Sequence, residues 1–377
     1  MNSLQKIEHA IDDIYARHDL PGLAVGVKVG ADSPLADAGI DISSVRGHSD
    51  FEGKAPLKAN AVFHMASVAK LFVATCVMQL YAASRLDIDA PLVEYLPWFR
   101  MDDPRYTAIT VRQVLSHTAG IPDIRDYHWT EPEIDRSAPR RFITSAEVTA
   151  PPLLWNPGAG GFSYSNIGYD ILGALIAEVS GETFESYVET HIFAKLGMRD
   201  STFSTFLRTP EGRALAGEQN PSAGEVRAAL SPVRLHEYGV VIPHRKNANR
   251  RVVRQAYYPY HRAHAPSSTL TSTLRDIKRW GDAHIEGWDG LEPNAYEQMW
   301  HGETVIENNN ERMSLGWFLR EQNGYRLYGH EGADDGFRSS FWICPALKTQ
   351  ITVLINIDRP SVKKFNKQLF DLLTNRR

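Results

Sequence analysis

The stretch that decides the fold is Phe63-His64-Met65-Ala66-Ser67-Val68-Ala69-Lys70. It follows an extended segment, Ala61-Val62-Phe63, and opens an apolar helix over Leu71-Phe72-Val73-Ala74-Thr75-Cys76-Val77-Met78-Gln79-Leu80. A serine in the first turn of that helix has a lysine three residues on. Positions i and i+3 share a helix face, so the amine lies beside the hydroxyl in apolar surroundings. Serine is a weak nucleophile until a base takes its proton, and a desolvated lysine with a lowered pKa is such a base. The plainer alternative makes Ser67 a helix N-cap and Lys70 a side chain that snorkels to solvent. The pattern alone does not decide. Ser-x-x-Lys recurs at Ser3-Leu4-Gln5-Lys6 and at Ser361-Val362-Lys363-Lys364, both in polar terminal helices.

Before this stretch, Leu4, Ile7, Ile11, Ile14 and Tyr15 have helical spacing. Pro21-Gly22 breaks the chain, and residues 23–29 alternate as a strand. After it, residues 110–117 read as a capped helix that stops at Gly120, and residues 166–180 as an amphipathic helix closed by Gly181. A further helix covers 184–196. From 267 the pattern predicts a helix over 272–283, with Thr273 as its cap. Strands follow over 316–319, 325–328, 339–344 and 351–357, and a final helix over 362–373. Strands at both ends and helices between them predict an α/β (α+β) fold. An antiparallel sheet built from both termini is flanked by the terminal helices, with an all-helical lobe inserted. Residues 1–66 and 266–377 are expected to form the sheet lobe and 67–265 the helical one, with the site between them. Residues 205–265 are the least patterned. They hold a basic run, His244-Arg245-Lys246-Asn247-Ala248-Asn249-Arg250-Arg251, and the aromatic residues Tyr257, Tyr258 and Tyr260. They read as a solvated surface insertion or as a lid over a cleft.

Bulk properties exclude several classes. The 377 residues are 43% hydrophobic and 23% charged, with a formal net charge of −4. That balance gives no electrostatic basis for binding nucleic acid or an anionic membrane. The opening residues 1–8 carry no apolar core, so no signal peptide is expected. No apolar run approaches the roughly 20 residues that span a bilayer, and the expectation is a cytoplasmic protein. Cys76 and Cys344 read as buried, reduced thiols. His-Glu-x-x-His and Gly-x-Ser-x-Gly are both absent, and no metal or cofactor is expected.

A nucleophile needs partners elsewhere in the chain. Tyr164-Ser165-Asn166 is the only Tyr-x-Asn present, in a loop just before a helix. A phenol near an ammonium can hold or pass a proton, and an Asn side chain can bind a substrate carbonyl and tether the lysine. The plainer alternatives are a packed aromatic at Tyr164 and a helix N-cap at Asn166. His330-Glu331-Gly332 falls on a strand further on, where a glycine allows close approach of a substrate backbone. His117 reads as a hydrogen bonder at a helix end.

With these pieces in order the chain resembles the serine β-lactamase-like, penicillin-recognising hydrolases. Within that family it is most similar to the branch of class C β-lactamases, D-alanyl-D-alanine carboxypeptidases, D-aminopeptidases and related esterases. The resemblance rests on Pro21-Gly22-Leu23-Ala24-Val25, residues 63–70, Leu115-Ser116-His117-Thr118-Ala119-Gly120-Ile121, and Trp155-Asn156-Pro157-Gly158. It rests further on residues 164–169, Leu196-Gly197-Met198 with Ser201-Thr202-Phe203, and His330-Glu331-Gly332 with Gly336-Phe337-Arg338-Ser339. The resemblance implies that Ser67 forms an acyl-enzyme and that Lys70 and Tyr164 move protons. It also implies that Asn166, His330 and Gly332 orient substrate, and that the N–H groups of Ser67 and Ala333 form the oxyanion hole.

Three departures shape the expected substrate. The third motif has His330 where β-lactamases carry lysine, which favours a peptidase or esterase. Glu331, Asp334 and Asp335 suggest an acidic mouth for an amine-bearing substrate, or a solvated turn. Ser267-Ser268 stands where the relatives have Gly-Gly. The leading expectation is therefore a serine hydrolase acting on a small ester, amide or D-amino-acid substrate. The alternative is a non-catalytic ligand-binding or scaffolding relative. The sequence leaves the oligomeric state open.

Overall fold

The computed structural model describes residues 3–35, 38–218, 221–301, 304–306 and 311–374. Among these, one mixed α/β body is built on a nine-stranded sheet. Its strands lie in the spatial order Ala55–Pro56, Asp41–Asp50, Gly22–Val29, Thr349–Ile355, Phe337–Cys344, Tyr325–Asp334, Phe318–Gln322, Glu311–Met313 and Thr304–Val305. All neighbours run antiparallel. The N-terminal strand thus lies beside the C-terminal one, with Val25 opposite Val353. The sheet is made from both ends of the chain, as the pattern predicts.

The period of two along a strand assigns the two faces. Leu23, Val25, Val27 and Val29 share a buried cluster with Ile7, Ile11 and Ile14 of the helix Ser3–His18. Phe365, Leu369 and Phe370 of the helix Lys363–Thr374 complete that cluster. Ala24, Phe341, Ile343 and Leu354 belong to a second, larger cluster with Ile277 and Trp280 of the helix Leu274–Glu286. Thr273 caps that helix by accepting from the Asp276 N–H. Cys76 belongs to the larger cluster and Cys344 to the smaller one, and both are free, buried thiols.

The helix after Ser67 spans Ala69–Ala82 and is buried on nearly every side. A helix apolar all round needs partners all round. Phe72 stacks on Trp280 with ring centroids 4.0 Å apart, and Phe193 and Phe203 meet Phe72 edge-on. Val73, Thr75 and Val77 are indifferent helix formers; their burial, not propensity, holds the segment helical.

Residues 205–265, read as a solvated insertion or a lid, combine buried segments with an exposed basic run. Val240, Val241, Ile242, His244, Tyr258 and Tyr260 are buried. The basic run is a two-stranded ribbon, His244–Lys246 against Val252–Arg254. It docks on the sheet end through His244, which accepts from the Phe51 N–H, and through Arg254, which pairs with Asp50. Among the described residues, no helix is long and apolar enough to cross a membrane.

Trp280 is fully buried and joins the central helix to the helix on the sheet. Trp280→Ala is expected to cost about 3–5 kcal/mol of stability, read from the urea midpoint of the purified variant. A loss under about 1 kcal/mol would show that this contact does not hold the two elements together.

Candidate active site

Ser67 sits in a 3-10 turn, Ala66–Val68, between the short strand Phe63–His64 and the central helix. Its side chain caps nothing, since Met65 occupies the N-cap position. Ala66 has φ +46°, a left-handed conformation unusual for a residue with a Cβ. Such strain persists only where the surroundings hold it. Here the Ser339 hydroxyl donates to the Met65 carbonyl at 2.6 Å, and the Met65 N–H donates to the Leu270 carbonyl at 2.8 Å.

The motif His330-Glu331-Gly332 lies inside the strand Tyr325–Asp334. On one side it pairs with Phe337–Cys344, with Gly332 opposite Ser339 and Ala333 opposite Arg338. On the other side, pairing with Phe318–Gln322 stops at Gly329. Among the described residues, the edge of the motif strand therefore has no strand partner just where it passes the serine turn. Gly332 serves that turn directly. A Cβ there would lie 2.3 Å from the Met65 oxygen and 2.1 Å from the Ser339 Oγ. The glycine thus admits the protein's own backbone on the face turned to the serine turn.

Lys70 is completely buried. Its Nζ donates to Asn166 Oδ1 at 2.5 Å and to the Ser267 carbonyl at 2.7 Å, and lies 3.2 Å from Ser67 Oγ. Burial brings its pKa down to about 8, against the opposing pull of the Asp170, Asp123 and Asp334 carboxylates. Nζ also stands 5.0 Å from the Tyr164 ring centroid and 5.4 Å from that of Tyr169. Burial raises the Tyr164 phenol well above its usual range, while a hydrogen bond with Ser67 pulls the other way. Ser67, Lys70, Tyr164 and Asn166 are thus brought together across almost 100 residues of chain.

Asn166 is the first residue of the helix Asn166–Ser180. Ser165, not Asn166, is the N-cap, accepting from the Gly168 N–H at 3.1 Å. That frees the Asn166 amide for other partners. Its Nδ2 donates to Asp123 Oδ2 at 2.8 Å and to Tyr127 Oη at 2.5 Å, and Tyr127 donates to Asp123 at 2.8 Å. A carboxylate only accepts, so Asp123 fixes which way the amide faces and turns its oxygen toward Lys70.

His330 is buried, and its Nδ1 is 2.5 Å from the Glu331 carbonyl oxygen. Burial first, and then the Lys70 charge, bring its pKa down to about 3. It is a neutral imidazole near the site. His117 is a helix-end hydrogen bonder, as expected. Its Nδ1 accepts from the Ser165 N–H at 3.1 Å, and its ring packs on Tyr164 with centroids 4.4 Å apart.

The acidic mouth does not form. Glu331 alternates to the opposite face of its strand, where it accepts from Trp342 Nε1 at 2.7 Å and Ser340 Oγ at 3.1 Å. Burial pushes its pKa up to about 7. Asp334 accepts from buried His64 at 2.7 Å and Asp335 accepts from Tyr257 at 2.5 Å. Strand alternation was the signal available for Glu331, which cannot share a face with His330 and Gly332. Asp123, Tyr127, Asp170 and His264 were missed. Asp170 and His264 form a pair 2.7 Å apart with both side chains fully buried, and no local pattern marks either. The other two Ser-x-x-Lys matches are on the surface, with Lys6 and Lys364 exposed. Among the described residues, no three His, Cys, Asp or Glu side chains are grouped to hold a metal ion.

The fold and this constellation define a class, and comparison with known proteins gives the family. The chain matches the Beta-lactamase family over residues 7–375, and it belongs to that family. Protein flp of Staphylococcus aureus (strain MW2) is 22% identical over 99% of this chain and 67% of its own length. Among solved structures, the octameric penicillin-binding protein homologue from Pyrococcus abyssi has a TM-score of 0.76 at 20% identity, over 98% of this chain and 77% of that one. D-amino acid amidase from Ochrobactrum anthropi SV3, complexed with D-phenylalanine, has 0.75 at 19% identity over the whole of both chains. A D-stereospecific amidohydrolase from Streptomyces sp. has 0.73 at 20%, over 98% and 97% of the two chains.

Because a Gly332 Cβ would meet a backbone carbonyl, Gly332→Ala is expected to lose at least about 1–3 kcal/mol. Thermal unfolding measures it, and an unchanged midpoint would contradict the tight approach of turn and strand.

Proposed function

We propose that the protein is a serine hydrolase that cleaves a small ester or amide through an acyl-enzyme on Ser67, with D-amino-acid amides and esters as the favoured substrates. One observation carries this reading. Two of the three groups around Lys70 Nζ, the Asn166 and Ser267 carbonyl oxygens, can only accept. A neutral amine has two N–H groups and one lone pair. The two acceptors take both N–H groups, so the lone pair faces Ser67 Oγ.

In the proposed reaction Ser67 Oγ attacks the carbonyl carbon and its proton passes to Lys70. The charge that develops on the carbonyl oxygen is stabilised by the N–H groups of Ser67 and Ala333. Such a donor is worth about 2.7–4 kcal/mol in comparable sites. Tyr164, held protonated by burial, relays a proton from Lys70 to the leaving amine or alcohol. Water then attacks the ester carbon of the acyl-enzyme, its proton passes through Tyr164 and Lys70 to Ser67 Oγ, and the C–O bond to Ser67 breaks to release the acid and restore the serine. Asn166, oriented by Asp123, holds the substrate and Lys70. His330 and Gly332 line the substrate strand.

Neutral His330 supplies no cation for a substrate carboxylate. That favours an amide or ester over a substrate recognised by its free acid. The D-amino-acid amide hydrolases among the structural neighbours point to the same class.

A fluorophosphonate probe is expected to label the protein at Ser67, located by mass spectrometry, and Ser67→Ala is expected to abolish the label. Labelling that survives the substitution would refute the nucleophile. No labelling together with no turnover of D-phenylalanine amide or p-nitrophenyl esters would favour a non-catalytic relative.

The base must be the free amine. With the Lys70 pKa at about 8, kcat/KM is expected to rise about tenfold per pH unit below that value and to level off above it. A profile that is flat between about pH 6 and pH 9 would exclude Lys70 as the base.

A further inference from the structure

Three segments of the site meet at one carboxylate that the proposed chemistry does not use. His64 lies three residues before Ser67, in the strand pair Phe63–His64 with Thr271–Ser272. Its side chain is fully buried, and its Nε2 is 2.7 Å from Asp334 Oδ2. Since a carboxylate accepts, Nε2 carries the hydrogen and donates. Asp334 directly follows Ala333. The Ser268 hydroxyl donates to the same Asp334 oxygen and is 3.5 Å from His64 Nε2. Ser268 directly follows Ser267, whose carbonyl holds Lys70. The imidazole is wedged between Phe337 and Tyr258, with centroids 5.4 and 5.7 Å away.

We infer that His64, Asp334 and Ser268 form a positioning triad that fixes the two oxyanion donors and the lysine's carbonyl acceptor relative to one another. The inference rests on the reading of Ser67 as the nucleophile. The segment carrying the Ser67 N–H is tied through His64, that carrying the Ala333 N–H through Asp334, and that carrying the Ser267 carbonyl through Ser268. The triad does not work as a nucleophile and base. The carboxylate stands between the serine and the imidazole, so the imidazole does not receive the serine proton. Packing alone does not account for it either. A carboxylate with its side chain only 12% exposed is costly to desolvate, and apolar side chains of similar volume would pack at least as well. What the polar arrangement adds is direction, since three hydrogen-bonding groups meet in one geometry. It also adds charge. The Asp334 carboxylate acts on Lys70 and on Tyr164, in both cases favouring the protonated form. Lys70 also faces Asp170, Asp123, His117 and His330, and the variants below leave all four in place. Near Asp334, the Arg338 guanidinium donates to its backbone carbonyl at 2.8 Å.

The test uses the full chain and the second-order rate of fluorophosphonate labelling, with thermal unfolding run in parallel to correct for folded fraction. His64→Leu removes the donor and is expected to slow labelling about tenfold or more, while His64→Gln restores an N–H and is expected to recover to within about threefold of wild type. Asp334→Asn removes a negative charge near Lys70. The free amine is then favoured, so the acid limb of the pH–rate profile is expected to move to lower pH, while the maximal rate falls. His64→Leu and His64→Gln labelling at equal rates, or an acid limb unmoved in Asp334→Asn, would overturn the inference. Wild-type protein that fails to label refutes the hydrolase reading and the triad's role with it. A labelled wild type with equal His64 variants refutes the triad alone.

Discussion

An amine with no access to water is the condition on which the rest of the molecule depends. Lys70 is held by two carbonyl oxygens and a hydroxyl inside a helix buried on nearly every side. The fall from 10.5 to about 8 corresponds to about 3 kcal/mol in favour of the neutral form. Burial drives the fall, and the Asp170, Asp123 and Asp334 carboxylates limit it. A lysine as dry without those carboxylates would drop further and lose basicity. With stronger pairing it would stay charged and could not take the serine proton. The helical layer and the sheet that seal the central helix therefore act on the chemistry as well as on stability.

The second constraint is steric. The serine turn is pressed against the motif strand closely enough to require a glycine at 332 and a left-handed Ala66. Met65 is held from both sides, by Ser339 at its carbonyl and by Leu270 at its N–H. The turn is thus defined by the sheet and by the segment around residue 270, not by its own helix. Asn166 is held in the same indirect manner, because its orientation is decided by Asp123 and Tyr127, about 40 residues earlier in the chain.

How much of this was legible follows from where the information lies. Ser67 and Lys70 are three residues apart, one in the 3-10 turn and one in the first turn of the helix it runs into, so their proximity is local and a motif records it. The sheet assembled from both termini was legible from alternating strands at the two ends. His330 and Gly332 were legible as a motif, but the role of Gly332 was not. It depends on the Met65 carbonyl, which only the folded chain brings near. Asp123, Asp170 and His264 carry no pattern, since a single acid or imidazole in a loop or helix looks the same whether it is solvated or paired. The charges of the ribbon after residue 244 are exposed, as a basic run suggests, while its anchors, His244 and Arg254, depend on Phe51 and Asp50 far away in the chain. The acidic mouth failed for a different reason. Glu331, Asp334 and Asp335 are near in sequence, but the pleat sends Glu331 to the far face and hydrogen bonds occupy the other two.

The Ser267-Ser268 pair, where the resemblance implies glycines, has a physical reason in this chain. Two buried or nearly buried carboxylates flank Lys70, Asp170 from the helix Asn166–Ser180 and Asp334 from the motif strand. Each needs donors, because an unsatisfied buried polar group costs about 1–3 kcal/mol and a charged one more. The Ser268 hydroxyl donates to Asp334, while the Ser267 hydroxyl donates to the His264 carbonyl at 3.3 Å and draws the Asp170 pKa down against the larger effect of burial. His264 supplies a donor to Asp170 and His64 one to Asp334. A glycine at 268 would leave Asp334 with the imidazole alone, and a glycine at 267 would remove one of the groups that hold the Asp170 pKa down against its burial. The Asp170 charge opposes the fall in the lysine's pKa. The serines and the two carboxylates are in this sense one choice. The two acids oppose the fall in the lysine's pKa, and the two hydroxyls add polar groups around those acids.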